Sequence, residues 1–94
     1  MHVVDDERST GPSRREAHLI VRGREIVESG DLRRVRDTLG MPRRQMAALL
    51  GISHNTLVTW EMGISMPRRE QLANVGKVIG ELRRAIDEER AGTA

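Results

Sequence analysis

The residues with the clearest chemical potential lie between positions 53 and 62. If this segment forms a helix, one face carries His54, Asn55, Val58, Thr59 and Met62, and none of them is charged. The outer face of a surface helix is usually charged, so a neutral hydrogen-bonding face indicates a surface that binds a ligand. A solvated polar surface is the alternative interpretation.

The side chains on this face suit the edges of DNA bases. An asparagine amide such as that of Asn55 can bond both N6 and N7 of adenine in the major groove. His54 can donate to guanine or to a phosphate, and Val58 and Thr59 can contact the methyl group of thymine. Val58 is informative, because an exposed β-branched apolar residue does little to stabilise a helix and therefore suggests contact with a partner.

Basic residues are concentrated around the same segment. Residues 31–69 contain seven arginines and three acidic residues, a net charge of +4, whereas each flanking part of the chain has a net charge of −1. This distribution suits a phosphate partner. Arg43 and Arg44 begin one predicted helix, and Arg68 and Arg69 begin another, so we predict that these four arginines contact DNA phosphates.

Capping signals and periodicity divide the chain into short helices. Ser13 and Glu16 form the pattern of a capping box, Gly30 is a stop signal, and Asp31 is expected to cap the second helix. Gly80 is expected to interrupt the last helical stretch. The predicted helices cover 13–29, 32–39, 42–50, 53–62, a segment that begins at Met66-Pro67, and 81–90. No strand-like alternation occurs, so the expected fold class is all-α, a compact bundle of about five to six short helices.

The length allows one small domain. We expect a helical domain over 13–90, between disordered tails at 1–12 and 91–94. No apolar run is long enough for a membrane span, and we expect a cytoplasmic protein with no membrane partner. No cysteine is present, and the histidines are too far apart to suggest a metal site, so no cofactor is expected; they are His2, His18 and His54.

The apolar positions with helical spacing form the expected core. They are Ala17, Ile20, Val21, Val27, Leu32, Val35, Leu39, Met46, Ala47, Leu50, Leu57, Trp60, Leu72, Val75, Ile79, Leu82, Ala85 and Ile86. Gly51 can adopt the left-handed conformation that ends a helix, and Ser53 can accept a bond from the free amides of the next helix. Ala47 is small enough for two helices to cross closely, and Ile52 fills the angle between them. These features predict a helix-turn-helix over 42–62.

At this point the chain resembles the Cro/C1-type (XRE) helix-turn-helix family, over about 31–80. The residues that carry the resemblance are Leu39-Gly40-Met41, Ala47, Leu50-Gly51-Ile52-Ser53, Thr56-Leu57 and Trp60-Glu61-Met62-Gly63. The resemblance implies a lambda-repressor-like bundle of about five helices, with the helix at 53–62 as the recognition helix. Carried over by position, the base-reading residues of the family fall on Ser53, His54, Asn55, Val58 and Thr59.

The resemblance also implies roles for three charged residues. Arg43 stands where the family usually has a glutamine that contacts a phosphate or a base. Arg36 and Glu61 match a pair that joins the first helix to the recognition helix in some members, and we predict the same structural ion pair here.

Two positions depart from the family pattern. Pro42 stands where a serine or threonine normally caps the helix, so Met41 is expected to take the cap position. Met62 replaces a polar residue that often contacts phosphate, which argues against a backbone contact there.

These observations favour a sequence-specific regulator of transcription that binds double-stranded DNA. Within that class we expect a repressor of phage or bacterial origin. No catalytic constellation is present, so we expect no enzyme. A homodimer is expected, because two recognition helices then meet successive major grooves about 34 Å apart; a monomer is the alternative. The helices at 13–29 and 81–90 lie outside the resemblance and are the surfaces left for a partner. An antitoxin that binds a toxin protein as well as operator DNA, and an adaptor that does not bind DNA, are the alternative functions.

Overall fold

The protein is all-helical over residues 11–93, the part of the chain described by a computed structural model. Its helices are α1 (Arg14–Ser29), α2 (Asp31–Thr38), α3 (Arg43–Leu50), α4 (His54–Glu61) and α5 (Arg69–Thr93). This confirms the predicted all-α bundle, with five helices and no strand in the described range. None of these helices combines the length and the apolar character that crossing a membrane requires. Residues 1–10 of the predicted N-terminal tail lie outside the described part of the chain.

The start and end of α1 follow the predicted signals. The Ser13 hydroxyl accepts a hydrogen bond from the amide of Glu16 at 3.1 Å. Gly30 ends the helix in the left-handed conformation, with φ 83°, which glycine adopts without the steric cost of a Cβ.

The sequence predicted that Asp31 caps α2, and this prediction was wrong. The helix begins at Asp31, and Gly30 occupies the cap position without a side-chain hydrogen bond. The Asp31 carboxylate instead pairs with Arg34 and, across the bundle, with Arg83 of α5. Burial acts to raise the pKa of Asp31, but the two arginines outweigh it and hold the pKa below its ordinary value.

The connection between α2 and α3 differs from expectation at two positions. Leu39 is 40% exposed instead of buried, because α2 ends at Thr38 and Leu39 follows as its C-cap. Pro42, not Met41, is the N-cap of α3, in an extended conformation and with no side-chain acceptor. Proline suits that position because its fixed φ is compatible with extended backbone and its missing N–H is not needed there.

Gly80 does not interrupt α5, which runs for 25 residues as a single helix. The predicted helix at 81–90 is therefore its second half, and it continues past the predicted boundary at residue 90. A glycine costs a helix about 1 kcal/mol, but Leu82 and Ile86 keep packing against the core beyond it. Packing of one continuous apolar face outweighs the local preference.

In the part of the chain that the structure describes, twelve buried apolar residues form one core to which all five helices contribute. Val27 and the residues predicted between Leu32 and Ile79, except Leu39, belong to it, and Trp60 is 3% exposed. Ile20, Leu82 and Ile86 are partly buried against it. The prediction was wrong for Val21, which is 56% exposed, and for the exposed Ala17 and Ala85. The members are Ile26, Val27, Leu32, Val35, Met46, Ala47, Leu50, Leu57, Trp60, Leu72, Val75 and Ile79.

Contact between α1 and α5 depends on two glycines. A Cβ built on Gly23 would collide with the backbone of Leu72, and one built on Gly76 would collide with the carbonyl oxygen of Leu19. The backbones of the two helices therefore touch. Gly23 forms part of a buried helix contact, and α1 serves to cover the core.

Candidate nucleic-acid interface

The fold holds α4 by one side and leaves the other exposed. Leu57 and Trp60 are buried in the core, and Ile52, partly buried, packs against it in the turn. Gly51 ends α3 with φ 70°, and the Ser53 hydroxyl accepts a hydrogen bond from the amide of Thr56 at 3.1 Å. These contacts determine which side of α4 faces outward.

The predicted base-contacting residues define the surface that we term the recognition face: Ser53, His54, Asn55, Val58 and Thr59. Its first three residues are exposed, and Val58 and Thr59 are half-buried. Apart from His54, α4 contains one ionisable residue, Glu61, and the Glu61 side chain is only 2% exposed. The recognition face is therefore uncharged because the acidic residue of the helix is buried.

Two hydroxyl groups of this face already have partners within the protein. The Ser53 hydroxyl also donates to Oγ1 of Thr56 at 2.9 Å. The Thr59 hydroxyl donates to the carbonyl oxygen of Thr56 at 2.8 Å and lies 2.8 Å from the Ser65 hydroxyl. Among residues 11–93, no hydrogen bond engages the side chains of His54 or Asn55. Asn55 and His54 thus retain their polar groups for a ligand, while Thr59 offers chiefly its methyl group.

A basic cleft adjoins the recognition face. It is an open depression of about 720 Å³, lined by Arg36, Pro42, Arg43, Arg44 and His54, which we term the arginine cleft. Because Pro42 has no side-chain acceptor, the first amides of α3 lack a side-chain cap. Free amides at a helix start, together with guanidinium groups, attract phosphate.

An ion-pair cluster forms one wall of this cleft. The predicted pair of Arg36 and Glu61 is present and bidentate, with Nε 2.8 Å from Oε2 and Nη2 3.2 Å from Oε1. Nε of Arg43 also donates to Oε1 of Glu61, at 2.9 Å. Burial acts to raise the pKa of the Glu61 carboxyl, but both arginines outweigh it and keep the pKa below its ordinary value. The hydrogen bond with Glu61 raises the pKa of Arg36.

Comparison with known families identifies this arrangement. A family model described as helix-turn-helix, of the Cro/C1 (XRE) type, matches residues 32–82, more than half of the chain. The chain belongs to the Cro/C1-type helix-turn-helix family. Searches of curated proteins and of solved structures gave no match.

Membership of the Cro/C1-type family implies DNA binding, and domains of this family are typically not enzymes. The matched range contains α2, α3, α4 and most of α5, whereas α1 precedes it. Within this range, α3 and α4 correspond to the two helices predicted over 42–50 and 53–62.

The predicted phosphate contacts of this Cro/C1-type domain fall into two groups. Arg43 and Arg44 line the arginine cleft beside His54. Arg68 and Arg69 are exposed at the start of α5 and are not part of the cleft lining. The amide of Arg68 donates to the side chain of Gln71 at 2.9 Å, which caps α5.

Sequence reasoning missed three residues that support the interface. Thr56 and Ser65 form hydrogen bonds with the hydroxyl groups of Ser53 and Thr59 on the recognition face. The side-chain amide of Asn74 donates to the carbonyl oxygen of Leu50 at 3.2 Å. That last bond joins the end of α3 to α5. No sequence signal marked Asn74, because at helical spacing it lies opposite the predicted apolar face of its helix. Nothing in the spacing indicated the Arg43–Glu61 contact.

Proposed function

We propose that the protein is a sequence-specific regulator of transcription, a repressor of phage or bacterial origin that reads duplex DNA through the major groove. The observation that supports this proposal is the exposed, uncharged recognition face on α4 beside the arginine cleft. A neutral face with free amide and imidazole groups suits base edges, and adjacent guanidinium groups suit the phosphates that flank them.

In this proposal, the contacts from α4 to the bases and the contacts from arginines to the phosphates have different roles. Asn55 and His54 supply hydrogen bonds to bases, and Val58 and Thr59 supply apolar contacts to thymine methyl groups. Arginine contacts to phosphates set the register of the protein on the duplex without reading sequence. In this proposal those contacts come from Arg43 and Arg44 in the cleft and from Arg68 and Arg69 at the start of α5.

We also propose that the protein acts as a homodimer on the bacterial nucleoid. Two copies related by a twofold axis would place two α4 helices in successive major grooves, about 34 Å apart. Sedimentation with and without operator DNA tests this proposal. A single copy on a duplex that contains both half-sites would contradict it.

Selection from a pool of random duplexes tests DNA recognition. We expect enrichment of one sequence, and a plot of log affinity against log salt with a slope of about −0.9 for each phosphate contacted. Salt-dependent binding without enrichment would contradict sequence-specific reading. No binding at all would favour the adaptor function. A reporter promoter that contains the enriched sequence then tests repression, and a rise in expression would contradict that role.

A further inference from the structure

Two arginines from different helices share the buried carboxylate of Glu61. Arg36 of α2 contacts both carboxylate oxygens, and Arg43 of α3 contacts one of them. The exposed fractions of the side chains rise from 2% for Glu61 to 10% for Arg36 and 40% for Arg43. The cluster therefore runs from the interior to the surface and ends at Arg43.

Each nitrogen of the Arg36 guanidinium already has a partner. Its Nε and Nη2 donate to Glu61, and its Nη1 donates to the carbonyl oxygen of Met41 at 3.2 Å. Nη1 also lies 3.6 Å from the carboxylate of Asp37, which Arg33 approaches at the same distance. Arg36 therefore suffices to neutralise Glu61.

Arg43 adds a positive charge that the cluster does not balance. Three arginines and two carboxylates form the chain of contacts from Arg33 through Asp37, Arg36 and Glu61 to Arg43, so its net charge is +1. Within the described residues, Nη1 and Nη2 of Arg43 have no acceptor. The Arg43 side chain lines the arginine cleft with Arg44 and His54. The unbalanced charge thus lies where a phosphate would enter.

We propose that Glu61 is a positioning residue for binding of the DNA backbone: by holding Nε of Arg43, it presents the remaining N–H groups of that guanidinium to one phosphate in the arginine cleft. The inference rests on the proposed function. Ordering a long side chain on binding costs conformational entropy, and here the carboxylate holds the side chain in place before DNA binds. Because Glu61 lies on α4, the same contact links the phosphate-binding side chain of Arg43 to the helix that carries the recognition face.

Substitution of Arg43 by lysine separates position from charge. An ammonium group keeps the charge but cannot bond a carboxylate and a phosphate with the planar fork of a guanidinium. We expect the affinity of Arg43→Lys for a fluorescent mixed-sequence duplex at about 50 mM salt, where phosphate contacts dominate, to fall about tenfold, the loss of one charge-assisted hydrogen bond. Because lysine keeps the positive charge, the slope against salt should change little, whereas Arg43→Ala should make it shallower by about 0.9. Arg24→Lys, on the exposed surface of α1, is the matched control and should bind as the wild type does.

Glu61→Gln completes the test. It should weaken binding of the wild type but add no further loss in the Arg43→Lys background, with melting curves showing that each variant is folded at the temperature used. If Glu61→Gln does not fold, Arg43→Lys is compared with Arg43→Ala, and similar losses support the proposal. Wild-type affinity in Arg43→Lys, or in folded Glu61→Gln, would overturn it. A wild-type protein that does not bind the duplex would instead show that the proposed function is wrong.

Discussion

Gly23 of α1 and Gly76 of α5 lie in backbone contact, and a Cβ at Gly76 would stand 3.2 Å from the amide nitrogen of Gly23. The same Cβ would collide with the carbonyl oxygen of Leu19. Backbone atoms cannot move aside as a flexible side chain can. The two glycines therefore set the distance between the helices.

Gly76→Ala should lower the stability of the protein. Overpacking of a tight contact typically costs about 1–3 kcal/mol, which outweighs the roughly 1 kcal/mol that alanine gains over glycine in a helix. Gly80→Ala, one turn further along α5, is the control. It has no neighbour within 4 Å of the new methyl group and should raise stability by about 0.5–1 kcal/mol. Urea unfolding measures both changes, and equal gains in the two variants would contradict the backbone contact.

Asn55→Ala should reduce the preference for the selected operator over a mixed-sequence duplex. The loss of one bidentate base contact corresponds to about 1–3 kcal/mol of discrimination, while non-specific affinity should stay nearly unchanged. Titration of both duplexes by fluorescence anisotropy measures the ratio. Glu25→Ala on α1 is the control and should alter neither affinity. Equal weakening on the two duplexes would show that Asn55 does not read a base.

Ser53→Ala and Ser13→Ala remove equivalent caps from different helices. Each hydroxyl accepts a hydrogen bond from an amide in the first turn of its helix, at 3.1 Å in both cases. Loss of such a cap costs about 1 kcal/mol, measured as a shift in the unfolding transition. Only Ser53→Ala should also weaken operator binding, because the first turn of α4 carries His54 and Asn55. Equal operator affinity in the two folded variants would contradict that link.

Glu61 should make stability depend on acid. Its folded-state pKa lies below the value of 4.5 expected for a free glutamate, so the folded state favours the ionised form. This contribution is present above the unfolded pKa and is lost as the pH falls through the folded one. Unfolding free energies measured between about pH 5 and pH 3 should fall less in Glu61→Gln than in the wild type. At neutral pH the variant should be less stable by about 3 kcal/mol, because Arg36 loses its partner.

Glu25→Gln is the control for the acid experiment, because Glu25 is exposed on α1. Its stability should decline with acid as steeply as that of the wild type. An identical acid response in Glu61→Gln and the wild type would contradict the role assigned to the buried carboxylate.

Local signals predicted those features that depend on neighbours in the sequence. Ser13, Gly30, Gly51 and Ser53 act where they were expected to act, because a cap or a left-handed turn is determined within a few residues. The Arg36–Glu61 pair was predicted from the resemblance and not from spacing, since the two residues are 25 positions apart.

Features that depend on tertiary packing were predicted less well. Gly80 has the local character of a helix breaker, yet Leu82 and Ile86 continue the apolar face beyond it. Asp31 has the character of a cap, but Arg34 and Arg83 offer its carboxylate stronger partners. The contact of Arg43 with Glu61 had no local signal, because it depends on how α3 and α4 cross.

The position of α1 determines how far the protein can be truncated at its N-terminal side. This helix precedes the residues that the family pattern matches, yet it supplies Ile26 and Val27 to the interior and Gly23 to the contact with Leu72. A recombinant fragment that starts at Asp31 would retain all the residues that the family pattern matches. It would, however, expose the apolar surface of α5 that α1 covers, and we expect it to aggregate. We therefore expect a fragment that folds on its own to include α1 from its cap at Ser13, ahead of the motif by which the family is recognised.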